Sequence, residues 1–403
     1  MGLDVVVFRT PGELAGAADA WDECVRRSVR PTPFMLSAWL LASWRVVHQR
    51  AAVVAAMRGG EIVAGLPLAI SSEGVHRAHF LAGQHAGLDL VLRQGEDEAG
   101  RAVVAATREL GGGYLQLEGM RDPCLVASAA RSCGPPIRLD GAPTLSLEGG
   151  WAESYARRVG KRRRSEWARR LRRLQDTGAV ELRIVRDRDG LHEALDAGFE
   201  VHERRWDERD DRDSTEFTSP QQRVFHHDAL RGLAELDAAR IVLLTVEGTA
   251  IAFCYYALLE GTLWGIRQAF DPGWARFSPG ILVTLAALEE GAREGATRVE
   301  FMRGVQPYKL ELADGVEPLY WGIFEPNGLA GTIAAHRRYR ELALRQQLKR
   351  SDLARRARGW LAPANPSFKR REASADDGRD GRVRDLVGVP ASTGGNPGGP
   401  GPC

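Results

Sequence analysis

Cysteine is scarce in this chain of 403 residues: five are present, an odd number, and none shows C-x-x-C spacing. Neither a disulfide framework nor a cysteine zinc site is expected. No apolar run approaches the ~18 residues that cross a bilayer; the longest, 51–57 and 250–259, are of strand length. The opening Met1-Gly2-Leu3-Asp4-Val5 lacks a basic stretch followed by an apolar one, so no secretory signal is read and a cytoplasmic protein is expected. Neither sign of charge dominates. Lys and Arg number 55 against 53 Asp and Glu, a net of +2, which gives no global attraction for a polyanion and argues against specific nucleic-acid binding. His76, His79 and His85 have no acidic or cysteine partner at helical ligand spacing, so no metal is expected. G-x-S-x-G and H-E-x-x-H are absent, which removes the commonest hydrolase and zinc-protease arrangements.

The chain does have length and apolar content enough for more than one core, with 44% hydrophobic residues. Its elements read in an order that occurs twice: strand, helix, helix, hairpin, strand, helix, strand. In the first half the strand at 5–8 is followed by helices to about 28 and at 37–48. A hairpin then turns on Arg58-Gly59-Gly60, and a helix at 96–110 precedes a strand at 114–117. Weaker strands are expected at 80–81 and 88–92. In the second half an arginine-dense helix at 157–175 precedes the same series, with its hairpin on Glu247-Gly248-Thr249. The expected division is 1–143, 144–327, a basic helix at 328–362 and a disordered Pro/Gly-rich tail at 363–403. The helix and tail are expected to be dispensable for chemistry.

Residues 263–312 carry the most chemical information. A strand ends at Phe270, Asp271-Pro272-Gly273 turns the chain, and Ser278-Pro279-Gly280 opens a helix. Serine suits an N-cap and proline the first helical position, so the free N–H groups and the dipole there form an anion site on this reading. A strand at 298–302 follows, then Gly304-Val-Gln-Pro-Tyr308-Lys309.

That order (strand, FDP, SPG-helix, EF, YK) resembles the CelD-like, BcsL-type acetyltransferases of the GNAT superfamily, which are related to FemAB peptidyltransferases. Pro33-Phe34, Trp39, Trp44, the arginine run and Glu203-Arg-Arg-Trp206 add to the resemblance, which covers about 3–325. It implies an α/β fold of tandem GNAT-like domains, with mixed, mostly antiparallel sheets flanked by helices. It also implies an acyl-CoA, acetyl or longer, as co-substrate of the second domain. Gln268, Ala269 and Phe270 would lie along its pantetheine arm, and Phe277, Ser278, Pro279, Gly280 and Ile281 would cradle its pyrophosphate. Tyr308 would protonate the leaving thiolate and Glu300 would act as base. Glu300 equally suits an ion pair with Arg298 or Arg303, and Lys309 either a phosphate contact or a solvated surface.

The acceptor implied is a small molecule or glycan precursor. Two other readings stay open. Ten basic residues between 157 and 173 suit a FemAB-like aminoacyl-tRNA donor. With the helix at 329–361 they also suit a non-catalytic nucleic-acid adaptor or a peripheral contact with an anionic membrane.

Overall fold

The computed structural model describes residues 2–47, 49–71, 75–83, 85–206 and 216–350. The first half supplies β1 (Leu3–Phe8), α1 (Pro11–Gly16), α2 (Ala18–Arg26), α3 (Ser37–Val46), β2 (Arg50–Arg58), β3 (Glu61–Ile70), β4 (Arg77–Phe80), β5 (Val91–Leu92), α4 (Asp97–Ala106), β6 (Tyr114–Arg121), α5 (Leu125–Ala129) and β7 (Ile137–Ser146). The second supplies α6 (Trp151–Arg158), α7 (Lys161–Gln175), β8 (Val180–Val185), α8 (Arg188–Trp206), α9 (Pro220–Glu235), β9 (Ala239–Val246), β10 (Thr249–Leu259), β11 (Thr262–Phe270), α10 (Pro279–Arg293), β12 (Arg298–Glu300), α11 (Pro307–Leu312), β13 (Gly315–Phe324) and α12 (Gly328–Arg350).

Local chemistry accounts for many of these boundaries. Thr10 and Glu13 close a reciprocal capping box on α1. Gly59 and Gly60 both take positive φ to turn β2 into β3, and Glu247 and Gly248 do the same between β9 and β10. The arginine-dense helix is broken by Gly160 into α6 and α7. Of the two weak strands, β4 is longer than expected and starts earlier, whereas β5 has only two residues.

The strands form one continuous sheet in the order β1-β2-β3-β4-β6-β13-β7-β12-β11-β10-β9-β8, with β5 appended to β3. Each half holds one parallel pair, β4 with β6 and β11 with β12; the other pairs are antiparallel. The final strands are exchanged. β7, from the first half, pairs with β12 of the second, while β13 pairs with β6 of the first, and β7 and β13 pair with each other. The fold is thus α/β, with a mixed and mostly antiparallel sheet, and the repeated element order is a repeated topology. The expected division at 143/144 falls inside β7, and a single sheet stands where two were expected.

Helices cover both faces. One core, with Trp21, Phe34, Trp39, Phe199 and Phe253, runs across the halves; another, with Trp167, Tyr256, Phe277 and Leu282, lies between the sheet and α7 and α10. Helices α3 and α9 join the halves at close range: a Cβ on Gly232 would stand 2.6 Å from that of Ala38. The basic C-terminal helix is not a free appendage. In α12, Ala335 is buried against Tyr114, Trp321 and Ile323, and Tyr339 donates to the Pro135 carbonyl. Gly331 lies so near Gly113 that a Cβ would meet its carbonyl at 2.5 Å. The expected tail at 363–403 lies outside the described residues, as does the end of the expected basic helix.

Candidate active site

The site is built around a gap in the sheet. β11 pairs in parallel with β12 only from Thr262 to Trp264, opposite Arg298 to Glu300. Beyond Glu300 the chain follows β7 instead, with Phe301 N donating to Pro143 O and Gly304 N to Gly141 O. Residues 265–270 of β11 keep β10 on one side and have no strand on the other among the described residues. A bulge sits at the same place. Tyr255 faces Arg267 and Tyr256 faces Gly265, so Ile266 is the extra residue. Bulges bend a strand and re-aim its side chains, and here the strand leaves its neighbour where the bulge begins.

On one face of this splayed segment, Gln268 donates to the carbonyl of Gly280 at 2.5 Å and to Thr284 Oγ1 at 3.0 Å, clamping β11 to the first turn of α10. Gly280 packs so tightly that a Cβ would meet Gln268 Nε2 and Phe270 Cδ1 at 2.9 Å. A side chain there would push aside the Gln268 amide and the Phe270 ring, so glycine preserves this packing.

Ser278 departs from the expected N-cap. It is left-handed (φ 54°, ψ 48°) and its hydroxyl caps no helical N–H. Its Oγ instead takes a hydrogen bond from Arg170 of α7. The Ile281 and Leu282 N–H groups are donated to the Ser278 carbonyl and Pro279 has none, so the helix start offers fewer free donors than a simple cap would. Cationic side chains take over that role. Glu166, Arg169, Arg170 and Arg173 of α7, with Arg276 and Phe277, surround a cavity of about 400 Å³ beside the start of α10. Arg276 lies over the Phe277 ring at 4.7 Å. Pro279 is buried, and Ile281 packs beside the core under α10.

Tyr308, on α11, is brought to the same region. The Cys254 thiol, whose residue faces Gln268 across the ladder, and the Arg205 guanidinium, which stacks on Phe270 at 4.6 Å, both act on its hydroxyl. Burial pushes the phenol up to about 12. Ala269 points its side chain into the opposite core.

The other two expected catalytic residues are elsewhere. Glu300 is buried in a network in which Arg121 and Arg298 donate to its carboxylate, and both also hold Glu317. Its pKa is raised by burial against the pull of the two guanidiniums. A carboxylate held by two arginines is an ion-pair partner, so the expected base is corrected to a structural role. Lys309 is also corrected. Its Nζ donates to the Arg303 carbonyl at 2.9 Å, and burial lowers it to about 8; it ties down the 302–306 loop and is not a solvated lysine.

Part of the arginine run is engaged by the fold. Arg163 pairs with Glu166 and Glu311, Arg164 donates to the Val159 carbonyl, and Arg158 to that of Leu310. The sequence marks the arginine run as a whole, including as a charged helix bordering a cofactor cleft, and positions 166, 169, 170 and 173 share one helical face by spacing alone. Arg267 was missed; its setting is described below.

With this geometry in hand, comparison with known proteins is informative. Residues 161–310 match the family model described as "Acetyltransferase (GNAT) domain". A crystal structure of FemX superposes with a TM-score of 0.56 at 10% identity, covering 80% of this chain and 97% of that one. A conserved protein of unknown function from Bacteroides thetaiotaomicron VPI-5482 superposes with a TM-score of 0.50 at 16% identity, covering 77% and 97%. No curated protein matches the chain. The fold is therefore shared with FemX, and residues 161–310 carry a match to a GNAT acetyltransferase domain. No helix among the described residues is long and apolar enough to cross a membrane.

Proposed function

We propose that the chain moves an acyl group from acyl-CoA, acetyl or longer, to an amine or hydroxyl of a small-molecule or glycan-precursor acceptor, in the manner of the CelD-like enzymes and in the cytoplasm. The observation that carries this reading is the arginine-walled cavity at the start of α10, set beside the unpaired edge of β11. A donor bearing a pyrophosphate and a further phosphate needs several convergent cations, and guanidiniums suit phosphate oxygens bidentately. Arg169, Arg170, Arg173 and Arg276 fit that demand, with Glu166 compensating part of the charge.

Bound there, the donor supplies a thioester carbonyl for direct attack by the acceptor, which loses its N–H or O–H proton to solvent as the C–N or C–O bond forms and the C–S bond breaks. The free edge of 265–270 offers backbone N–H groups to the oxygen as it gains charge. Tyr308, protonated at neutral pH, donates a hydrogen bond and then a proton to the departing sulfur. The aminoacyl-tRNA alternative draws less support, because a net charge of only +2 gives no global attraction for a long polyanion.

A thermal-shift titration with acetyl-CoA, longer acyl-CoAs and free CoA tests the proposal. Binding to the native state raises the melting temperature by mass action, and competition by tRNA is absent. The absence of any shift at millimolar thioester would sink the reading.

A further inference from the structure

On the opposite face of β11 lies a second cavity, about 500 Å³, closed by both halves of the chain. Its walls include His79 of β4, His85, Phe217, His226 of α9, and Ile266 and Arg267 of β11. Adjacent strand residues ordinarily point to opposite faces; the bulge at Ile266 lets both line one cavity.

Arg267 is unusual among the arginines described. Its side chain is reached by solvent through the cleft, yet protein walls it closely enough that its charged form is disfavoured by burial. Its guanidinium lies 4.5 Å over the Phe217 ring. Among the described residues no carboxylate comes within ion-pair distance of it and no side chain or carbonyl accepts from it. Among the described residues, the acid that acts on its charge is Glu216, at the cavity rim. The imidazoles bring no compensation: His85 and His226 are held below their ordinary range by burial and by Arg267 itself, and His79 by burial and Arg77. His226 is 5% exposed and its Nδ1 has no hydrogen-bond partner. A guanidinium that faces a cavity without a counterion is available to a ligand, and its fork is well matched to a carboxylate or phosphate.

We infer that this cavity receives the acyl acceptor, and that the acceptor is a small acid whose single carboxylate or phosphate is held by Arg267, an assignment that rests on the acyl-transfer reading above. One guanidinium among aromatic and neutral imidazole walls suits one anionic group joined to a flat or apolar body, and disfavours a polyanion. The location is apt, because Arg267 is the chain neighbour of Gln268, which is clamped to the donor-side helix. An acid anchored at Arg267 has its nucleophile beside the splayed backbone from the face opposite the arginine cavity.

The test is calorimetric titration of the full-length protein with inorganic phosphate and, separately, benzoate, the donor site being saturated with CoA. Wild type is expected to bind one of the two saturably, and whichever binds tighter identifies the anion. Arg267→Met should weaken that binding at least tenfold, Arg267→Lys should partly restore it, and Arg170→Gln should leave it unchanged. The CoA-induced thermal shift should persist in Arg267→Met; its loss there, or in wild type, would count against the acyl-transfer reading and not against the anion site. If no saturable binding is seen in wild type, if Arg267→Met binds as wild type does, or if only Arg170→Gln loses it, the inference is overturned. Should Arg267 merely stack on Phe217, Arg267→Met would change the melting temperature and leave the titration as it was.

Discussion

The guanidinium of Arg170 donates to the hydroxyl of Ser278, 108 residues away in sequence. This contact couples the arginine face of α7 to the left-handed residue at the start of α10. It converts a helix terminus with few free N–H groups into a cationic cavity, so donor affinity is expected to depend on side chains more than on the helix dipole.

Arg170→Ala accordingly removes both a cavity cation and the tie to Ser278. Acyl-CoA affinity is expected to fall about tenfold, as for loss of one hydrogen bond to a charged group. The melting temperature should change little, because Arg170 is partly exposed. Calorimetric titration of the variant checks this, and raised salt should narrow its difference from wild type.

Tyr308→Phe keeps the packing and removes the donor to the leaving sulfur. We expect kcat to drop ~10²-fold with the acyl-CoA KM nearly unchanged. The pH profile adds a second check. With the phenol pushed up to about 12, its proton remains in place through the neutral and mildly basic range, so wild-type kcat should show no descending limb from this group below about pH 10. An unchanged kcat in the variant would return Tyr308 to a packing role.

Glu300→Gln should behave as a stability variant. Its carboxylate is the shared partner of Arg121 and Arg298 at the junction of the halves, and removing one member of a buried pair costs about 3 kcal/mol or more. Denaturant unfolding should show that loss. The pH dependence of kcat should keep its shape; loss of the rise in kcat on the acidic side would restore Glu300 as the base.

Truncation after Asn327 is expected to damage the fold. It uncovers Tyr114, Trp321 and Ile323, which α12 covers, and burial of large apolar side chains is worth roughly 1.5–3 kcal/mol each. Light scattering and a melting curve of the truncated chain test this. A soluble product with an unchanged melting temperature would show that the docked helix contributes nothing.

What could be read from the sequence was what is encoded locally. The hairpins at Gly59-Gly60 and Glu247-Gly248 follow from turn chemistry, and the repeated element order follows from apolar periodicity within each segment. Strand partners are not local. The apolar run 319–324 announces a strand without saying that it belongs beside β6. Ser278-Pro279-Gly280 marks a helix start correctly, but the serine hydroxyl is claimed from α7, and no spacing rule reaches that far. Glu300 was legible as an ion-pair residue through its neighbour Arg298, while Arg121 comes from the other half. Arg267 carries no motif at all; only the bulge and the cavity give it meaning.

The exchange of final strands also bears on the order in which the molecule can be made. A nascent chain lays down β1 to β6 early, but the strand that closes their open edge is β13, near the end of the described chain. Synthesis runs from the N-terminus at a pace slow beside local folding, so β6 waits with its outer backbone groups unpaired while the whole second half is translated. An edge held open for that interval is a template for pairing with another chain. Ribosome-bound intermediates stalled before residue 315 should therefore be the species most prone to self-association, and the most dependent on chaperones.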